Sequence, residues 1–399
     1  MKTSLVLSFF ILSITWTSAQ NENNFTFKWD NGFKLTSADQ NFKLKFGGRI
    51  MWDNAFFFQD SDMESVFGET KNGSEFRRAR FFNSGQIYGK VKYKLQLDFA
   101  GGGVSFKDVF IELVDLPIGH LRMGHFKEPF RLEALTSSKY MTFMERGFPI
   151  DIFPERNTGI MIRNDHLDKR LSWQLGVFRR SNGAGNDVAA DDGVNLTARV
   201  TGLPLMHDTE DKTQVLHLGA AISFRNPESE TYDVESRPES HLAPKYIATG
   251  DIAGVENILV FGTEVAFVHN SFSAAGEFVQ SSVNTMGSSD YNFSSFYVEI
   301  SYFLTGESKV YKGSYSGFDR VKPAKNFGQG GAGAWELGLR FSSSDLNSGD
   351  INGGKLSDLT VGVNWYLNPA SRMMFNYILA SLNDVGNTSI AQMRVQVDF

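Results

Sequence analysis

The chain ends on Ala391-Gln392-Met393-Arg394-Val395-Gln396-Val397-Asp398-Phe399, in which apolar and polar residues alternate without a slip up to a terminal phenylalanine. A period of two puts Ala391, Met393, Val395, Val397 and Phe399 on one face of an extended strand and Gln392, Arg394, Gln396 and Asp398 on the other. A soluble sandwich buries such an apolar face against a second sheet, whereas a membrane barrel turns it to lipid and turns the polar face to a wet lumen. The rest of the chain has to choose between them.

The opposite end argues for export. Lys2 precedes an apolar run from Leu5 to Trp16 and then Thr17-Ser18-Ala19, the pattern of a secretory signal peptide over residues 1–19. Its apolar core is too short for a helical span, and Gln20 in place of cysteine implies no lipid anchor. No later stretch is long and apolar enough for a membrane helix. With no cysteine, an exported chain must hold itself together without disulfides, by a large core or a closed sheet. A mean hydropathy of −0.24 and 41% hydrophobic residues suit a barrel as well as a soluble protein, since only alternate strand residues meet lipid. Net charge is −6, and removing Lys2 takes away one positive charge to leave −7, which argues against nucleic acid as a partner.

Alternating segments recur from Phe42 to Phe399, about sixteen in all, each about as long as a tilted transmembrane strand. The expected fold is therefore all-β: a 16-stranded antiparallel transmembrane β-barrel over residues 42–399, with short periplasmic turns and long extracellular loops, preceded by a periplasmic N-terminal segment at 20–41. Short connections fall at 88–90, 165–169 and 368–370, and long ones at 57–74, 128–157, 181–193, 226–257 and 306–333. Acidic residues gather in the long connections, for example Asp60, Asp62, Glu64 and Glu69, then Asp187, Asp191 and Asp192. Trp52 with Phe56, Phe57 and Phe58, Tyr302 with Phe303, Trp365 with Tyr366, and Phe399 sit at strand ends, where aromatic girdles belong.

The polar faces carry the functional signal. In the run from Lys90 to Phe99 the apolar set leaves Lys90, Lys92 and Lys94 on the lumen side, and the same logic points Arg78 and Arg80 inward. Lys43, Lys45, Arg49, Arg199, Arg225, Arg340 and Arg394 add to this cationic wall, and rings of Arg and Lys select anions. Inward carboxylates such as Asp53, Asp98, Asp108, Glu112, Glu264, Glu299, Glu336 and Asp398 oppose them. The segment 128–157, with its neighbour Lys127, combines Arg131, Lys139, Arg146 and Arg156 with Phe130, Phe143, Phe148 and Phe153. It is too apolar to stand in water and is the candidate constriction, where guanidinium groups offer paired donors to phosphate oxygens. Gly328-Gln329-Gly330-Gly331-Ala332-Gly333 matches a dinucleotide pattern but precedes a strand, so it reads as a loop. No nucleophile elbow or zinc-protease motif is present, His217 reads as a lumen residue, and neither a reaction nor a cofactor is expected.

Five stretches, Phe76-Arg77-Arg78-Ala79-Arg80, the run from Arg122 to Phe130, the run from Ser137 to Arg146, Glu155-Arg156-Asn157-Thr158-Gly159 and Thr305-Gly306-Glu307, together resemble the phosphate-selective porin O and P family. The resemblance covers nearly all of the chain after the signal. It implies a homotrimeric 16-stranded barrel of the bacterial outer membrane that passes phosphate or polyphosphate through an arginine-lined, lysine-centred constriction. The family motifs fall on Arg78, Arg80, Lys127, Arg131, Lys139 and Arg146. It further implies that the outer-membrane insertion machinery recognises the terminal strand ending in Phe399. The later part of the chain has fewer basic residues than a dense arginine ladder needs, apart from Lys309, Lys312, Arg320, Lys322 and Lys325 in one connection. Two other readings compete. One is a general or oligosaccharide-tolerant channel with the 130–153 aromatics as a sugar slide; the other is an interaction protein whose lumen is plugged and whose loops, such as 226–257, hold a surface partner.

Overall fold

Alternation of this kind closes on itself. The computed structural model describes residues 25–153, 155–186, 193–208, 213–287 and 290–399, so the signal segment and Asp187, Asp191 and Asp192 lie outside the described residues. Sixteen strands form one antiparallel barrel. They are β1 (Lys43–Gln59), β2 (Gly73–Ile87), β3 (Val91–Asp98), β4 (Ser105–Leu116), β5 (Gly119–Lys127), β6 (Arg156–His166), β7 (Leu171–Arg179) and β8 (Asn195–Asp208). They continue as β9 (Thr213–Arg225), β10 (Val255–His269), β11 (Phe272–Thr285), β12 (Tyr291–Phe303), β13 (Ala334–Ser348), β14 (Ile351–Asn368), β15 (Ser371–Leu382) and β16 (Gly386–Asp398). The terminal strand β16 pairs with β1, with Val397 opposite Ile50 and Arg394 opposite Asp53. Beyond that ladder the Gly48 N–H donates to the Phe399 carbonyl at 2.6 Å and the Phe399 N–H donates to that of Gly48 at 3.2 Å. Closure leaves no unpaired edge around the wall, a requirement in hydrocarbon where no water can satisfy a free backbone group.

The faces follow the sequence period. Along β12, Val298, Ile300 and Tyr302 point outward and are 56%, 42% and 51% exposed, while Ser295 and Ser301 are buried within. One break in the period has consequences. Met51 pairs with Arg78 but Trp52 with Phe76, so Arg77 is an extra residue on β2 and both Arg77 and Arg78 turn inward. Strict alternation assigns Arg77 to lipid; the bulge brings it onto Glu145 at 2.9 Å.

Antiparallel order sends successive connections to opposite ends. The connections at 60–72 and 128–155 leave one end, called here the loop end, and 88–90 and 369–370 leave the other, the turn end. By this parity 304–333 emerges at the turn end, which corrects the grouping of 306–333 with the other long loops. Conversely, 349–350 and 383–385 are tight turns at the loop end. Length alone does not report the side; strand parity does.

Segment 25–37, expected outside the barrel, forms a hairpin of Phe25–Trp29 and Phe33–Ser37 that pairs with the start of β1, Phe33 opposite Phe46 and Leu35 opposite Leu44. Inside the barrel, Phe143 seats on two glycines. A Cβ on Gly338 would meet the Phe143 ring at 3.0 Å and one on Gly362 at 3.1 Å, tighter than ordinary contact, so the glycines give the ring room to lie close against the wall. Phe143 is 1% exposed. Phe143→Ala is expected to cost about 3–5 kcal/mol, the usual range for emptying a buried aromatic site, measured by urea unfolding in detergent.

Candidate anion pathway

Three connections fill one half of the lumen. The segment 128–155 carries two short helices, Leu132–Leu135 and Pro149–Ile152, and its backbone is gripped by arginines of the far wall. Arg394 on β16 donates to the Met144 carbonyl at 2.5 Å, and its Nε and Nη2 meet Asp53 at 2.7 and 2.6 Å. Arg372 on β15 donates to the Met141 carbonyl at 2.7 Å, and Arg340 on β13 to that of Glu145 at 2.9 Å. Phe130 and Phe153 stack at 4.1 Å inside the largest apolar cluster, together with Phe148, Ile378 and Ile390.

From the loop end, 226–254 enters the same cluster with Val234, Tyr246 and Ile247. It buries Glu239 among Arg340, Ser342 and Thr360. From the turn end, 304–333 rises to meet it. The Phe318 N–H donates to Thr136 Oγ1 at 3.2 Å, Tyr311 and His217 share a hydrogen bond of 2.8 Å, and Arg320 pairs with Asp398. The lumen face of β16, read from the sequence as water-facing, is thus partly a seat for inserted backbone.

The opposite half stays open. A cavity of about 420 Å³ is lined by Lys45, Arg49, Arg80, Lys94, Arg122, Lys127, Lys139, Arg146, Arg156, Arg163 and Lys312, with Asp108 the single carboxylate in that lining. A second cavity of about 280 Å³ lies towards the loop end and is lined by Arg156, Arg180, Arg225, Asp151 and Asp233 among others. Arg156 lines both cavities.

The residues singled out in the sequence separate into three groups. Arg80, Lys94, Lys127, Lys139, Arg146 and Arg156 face the larger cavity. Lys92 lies apart from these, in a third cavity of about 270 Å³ with Lys34, Lys43, Lys45 and Lys94. Arg78 and Arg131 are on none of these walls. Arg78 is 3% exposed with its guanidinium 3.7 Å from Glu145, and Arg131, also 3% exposed, donates to the Phe153 carbonyl at 3.0 Å. Arg131 also sits at a φ of +67°, turning the chain into its helix, so its role there is architectural. Arg199 and Arg225, read as lumen charges, are bound to Glu264 at 3.1 Å and Glu128 at 3.2 Å. Arg122 and Arg163 complete the cavity wall and were not singled out. Both sit on alternating strands, share Glu112 at 3.0 and 2.9 Å, and were within reach of the same polar-face reading. Arg49, read from the sequence as part of the cationic wall, lines the larger cavity too. Its guanidinium bonds only hydroxyls, Ser137 at 3.3 Å and Ser138 at 2.7 Å, with no carboxylate pairing among the described residues.

Most other cations in the cavity share carboxylates. Glu155 is met by Lys127 at 2.9 Å, Arg146 at 3.4 Å and Arg156 at 2.7 Å. Burial alone would raise its carboxyl, but Arg156, Lys127 and Arg146 hold it well below the usual carboxylate range. Burial pushes the Lys139 amine down to about 8 despite Asp398 at 3.1 Å. A lysine is charged below its pKa, so Lys139 contributes a positive charge in acid and loses it as pH rises through about 8. Anion preference is expected to fall across that interval, and Lys139→Arg, which stays charged, is expected to flatten the change; reversal potentials against pH measure both.

A closed barrel of sixteen strands, narrowed by inserted connections and lined by charge, defines the porin class of outer-membrane channels. The chain belongs to the phosphate-selective porin O and P family, whose model matches residues 44–399. It is 26% identical to Porin O of Pseudomonas aeruginosa over 91% of this chain and 88% of that protein. Among solved structures it resembles an anion-selective porin from Comamonas acidovorans, with a TM-score of 0.57 at 12% identity over 90% of this chain and all of that one. It also resembles a loop-deleted OmpT of Vibrio cholerae, with a TM-score of 0.56 at 8% identity over 89% and 99% of the two chains. The family and the barrel place the protein in the bacterial outer membrane, as an anion porin.

Proposed function

We propose that the protein passes small anions by passive diffusion and prefers phosphate or polyphosphate, with the loop end outside the cell and the turn end in the periplasm. The observation that carries this is the lining of the larger cavity, where Arg and Lys surround a single Asp. Low-dielectric walls focus such a field, and in this reading a solute crosses from one cavity to the other past Arg156, which lines both. Arg49 can accept a new anionic partner without giving up a carboxylate, which makes it the first candidate for direct phosphate contact. No bond is made or broken in this function.

The phosphate-selective porin O and P family, whose model the chain matches, supports the phosphate preference. Assembly as a homotrimer and recognition of the strand ending in Phe399 by the insertion machinery belong to the same reading. The mass of the purified detergent complex tests the first, and trimming of Phe399 the second. Against the sugar-slide alternative, Phe130, Phe143, Phe148 and Phe153 are each 1% exposed, which leaves Tyr140 as the one aromatic of the 130–153 segment on the wall of the larger cavity. Single-channel recording in chloride with added phosphate tests the preference. Chloride current should fall saturably with phosphate; block by an oligosaccharide with none by phosphate would reverse the choice.

A further inference from the structure

The hairpin at 25–37 has two unlike faces. Directly paired residues on neighbouring strands share a side of the sheet, so the pairs Phe27–Leu35, Trp29–Phe33 and Phe33–Phe46 set one continuous apolar face. Phe27 and Phe33 lie 5.8 Å apart, Trp29 and Phe33 5.1 Å, and Phe46 reaches Phe81 of β2 at 6.2 Å. Phe81 belongs to the outward surface of the barrel and is 44% exposed, and Phe27, Trp29 and Phe33 are 57%, 52% and 51% exposed. The other face carries Lys28, Lys34 and Lys45, again in register, and Lys34 and Lys45 line the turn-end cavity that opens beside them.

The hairpin therefore continues both surfaces of the wall, the outer aromatic one and the inner cationic one. It occupies the place beside β1 just beyond the Phe399–Gly48 contact, next to the turn-end rim where Trp335 and Trp365 stack at 5.2 Å. Aromatic side chains favour the membrane–water interface, and a two-stranded hairpin has little stability of its own without a surface to lie on. We propose that the aromatic face of this hairpin lies in the lipid headgroup region of the leaflet at the turn end, as an extension of the lipid-facing wall. Continuity with the barrel's outer face selects lipid as the occupant over water.

The absence of cysteine makes the test direct, since one introduced thiol is unique. Phe27→Cys and Lys28→Cys, each in the full chain in phosphatidylcholine vesicles, are spin-labelled and probed by collision with oxygen, which concentrates in lipid, and with a water-soluble nickel chelate. The label at 27 should favour oxygen several-fold over the chelate, and the label at 28 the reverse. Chelate preference at both positions would overturn the proposal in favour of water. Shielding of position 27 from both reagents, with disulfide-linked dimers on oxidation, would overturn it in favour of a second copy. Phe25→Cys repeats the test on the same face, and heat-modifiable gel mobility confirms that each variant has a folded barrel.

Discussion

Arg156→Ala is expected to abolish most of the anion preference. Arg156 is the side chain common to the two cavities, and it bonds Asp108 at 2.9 Å and Glu155 at 2.7 Å. Its removal does more than subtract one cation, because it lays part of two carboxylates bare to the passing solute. Lys94 still holds Asp108 at 2.6 Å and Lys127 still holds Glu155 at 2.9 Å, so the local structure survives while the field around that position weakens or reverses. Focused fields raise local counter-ion concentration by roughly 10–1000-fold, and the expected loss lies at the lower end of that range, about tenfold in anion-to-cation permeability. Arg78→Ala provides the contrast, since Arg78 packs on Met51 away from these walls. Its effect is expected on stability, with the reversal potential nearly unchanged.

The second large effect is expected at Arg394. This residue is fully buried, holds Asp53 through two hydrogen bonds, meets Glu145 at 2.7 Å and donates to the Met144 carbonyl. Arg394→Ala leaves the buried Asp53 and the half-buried Glu145 short of a partner and frees the backbone of the inserted segment. Breaking a buried pair from one side costs about 3–5 kcal/mol. Arg77 keeps Glu145 engaged at 2.9 Å, so the barrel should still assemble while the segment at 128–155 loosens from β16. Single-channel conductance should rise with larger open-state noise, whereas unchanged conductance would show that the segment is held by its apolar contacts alone. Asp53→Asn with Arg394→Met, which removes both charges of one pair, should recover part of the lost stability.

Much of this was legible in the chain because a barrel wall has a single rule. Period-two alternation identifies the strands, and an even strand number brings Phe399 back to Gly48. The same rule finds Arg80, Lys94 and Arg49 on the lumen side. It fails at Arg77, where one extra residue on β2 turns two successive arginines inward, and no composition signal marks that bulge. It is also silent on pairing. Arg340, Arg372 and Arg394 obey the alternation and face inward, yet they bind carbonyls of the inserted segment at 2.9, 2.7 and 2.5 Å instead of facing the cavity. Which lumen arginines meet solute depends on where 128–155, 226–254 and 304–333 lie inside the barrel, and those positions come from contacts distant in sequence. The inward course of 128–155 was readable from its own composition, since four phenylalanines among cations have no place in water.

The zero-current potential of the purified channel across a potassium chloride gradient tests the central claim, a solute path governed by cationic side chains, most directly. Selectivity for chloride should set its sign, and phosphate added to both sides should then lower the current. A potential of the opposite sign, or one near zero, would contradict it.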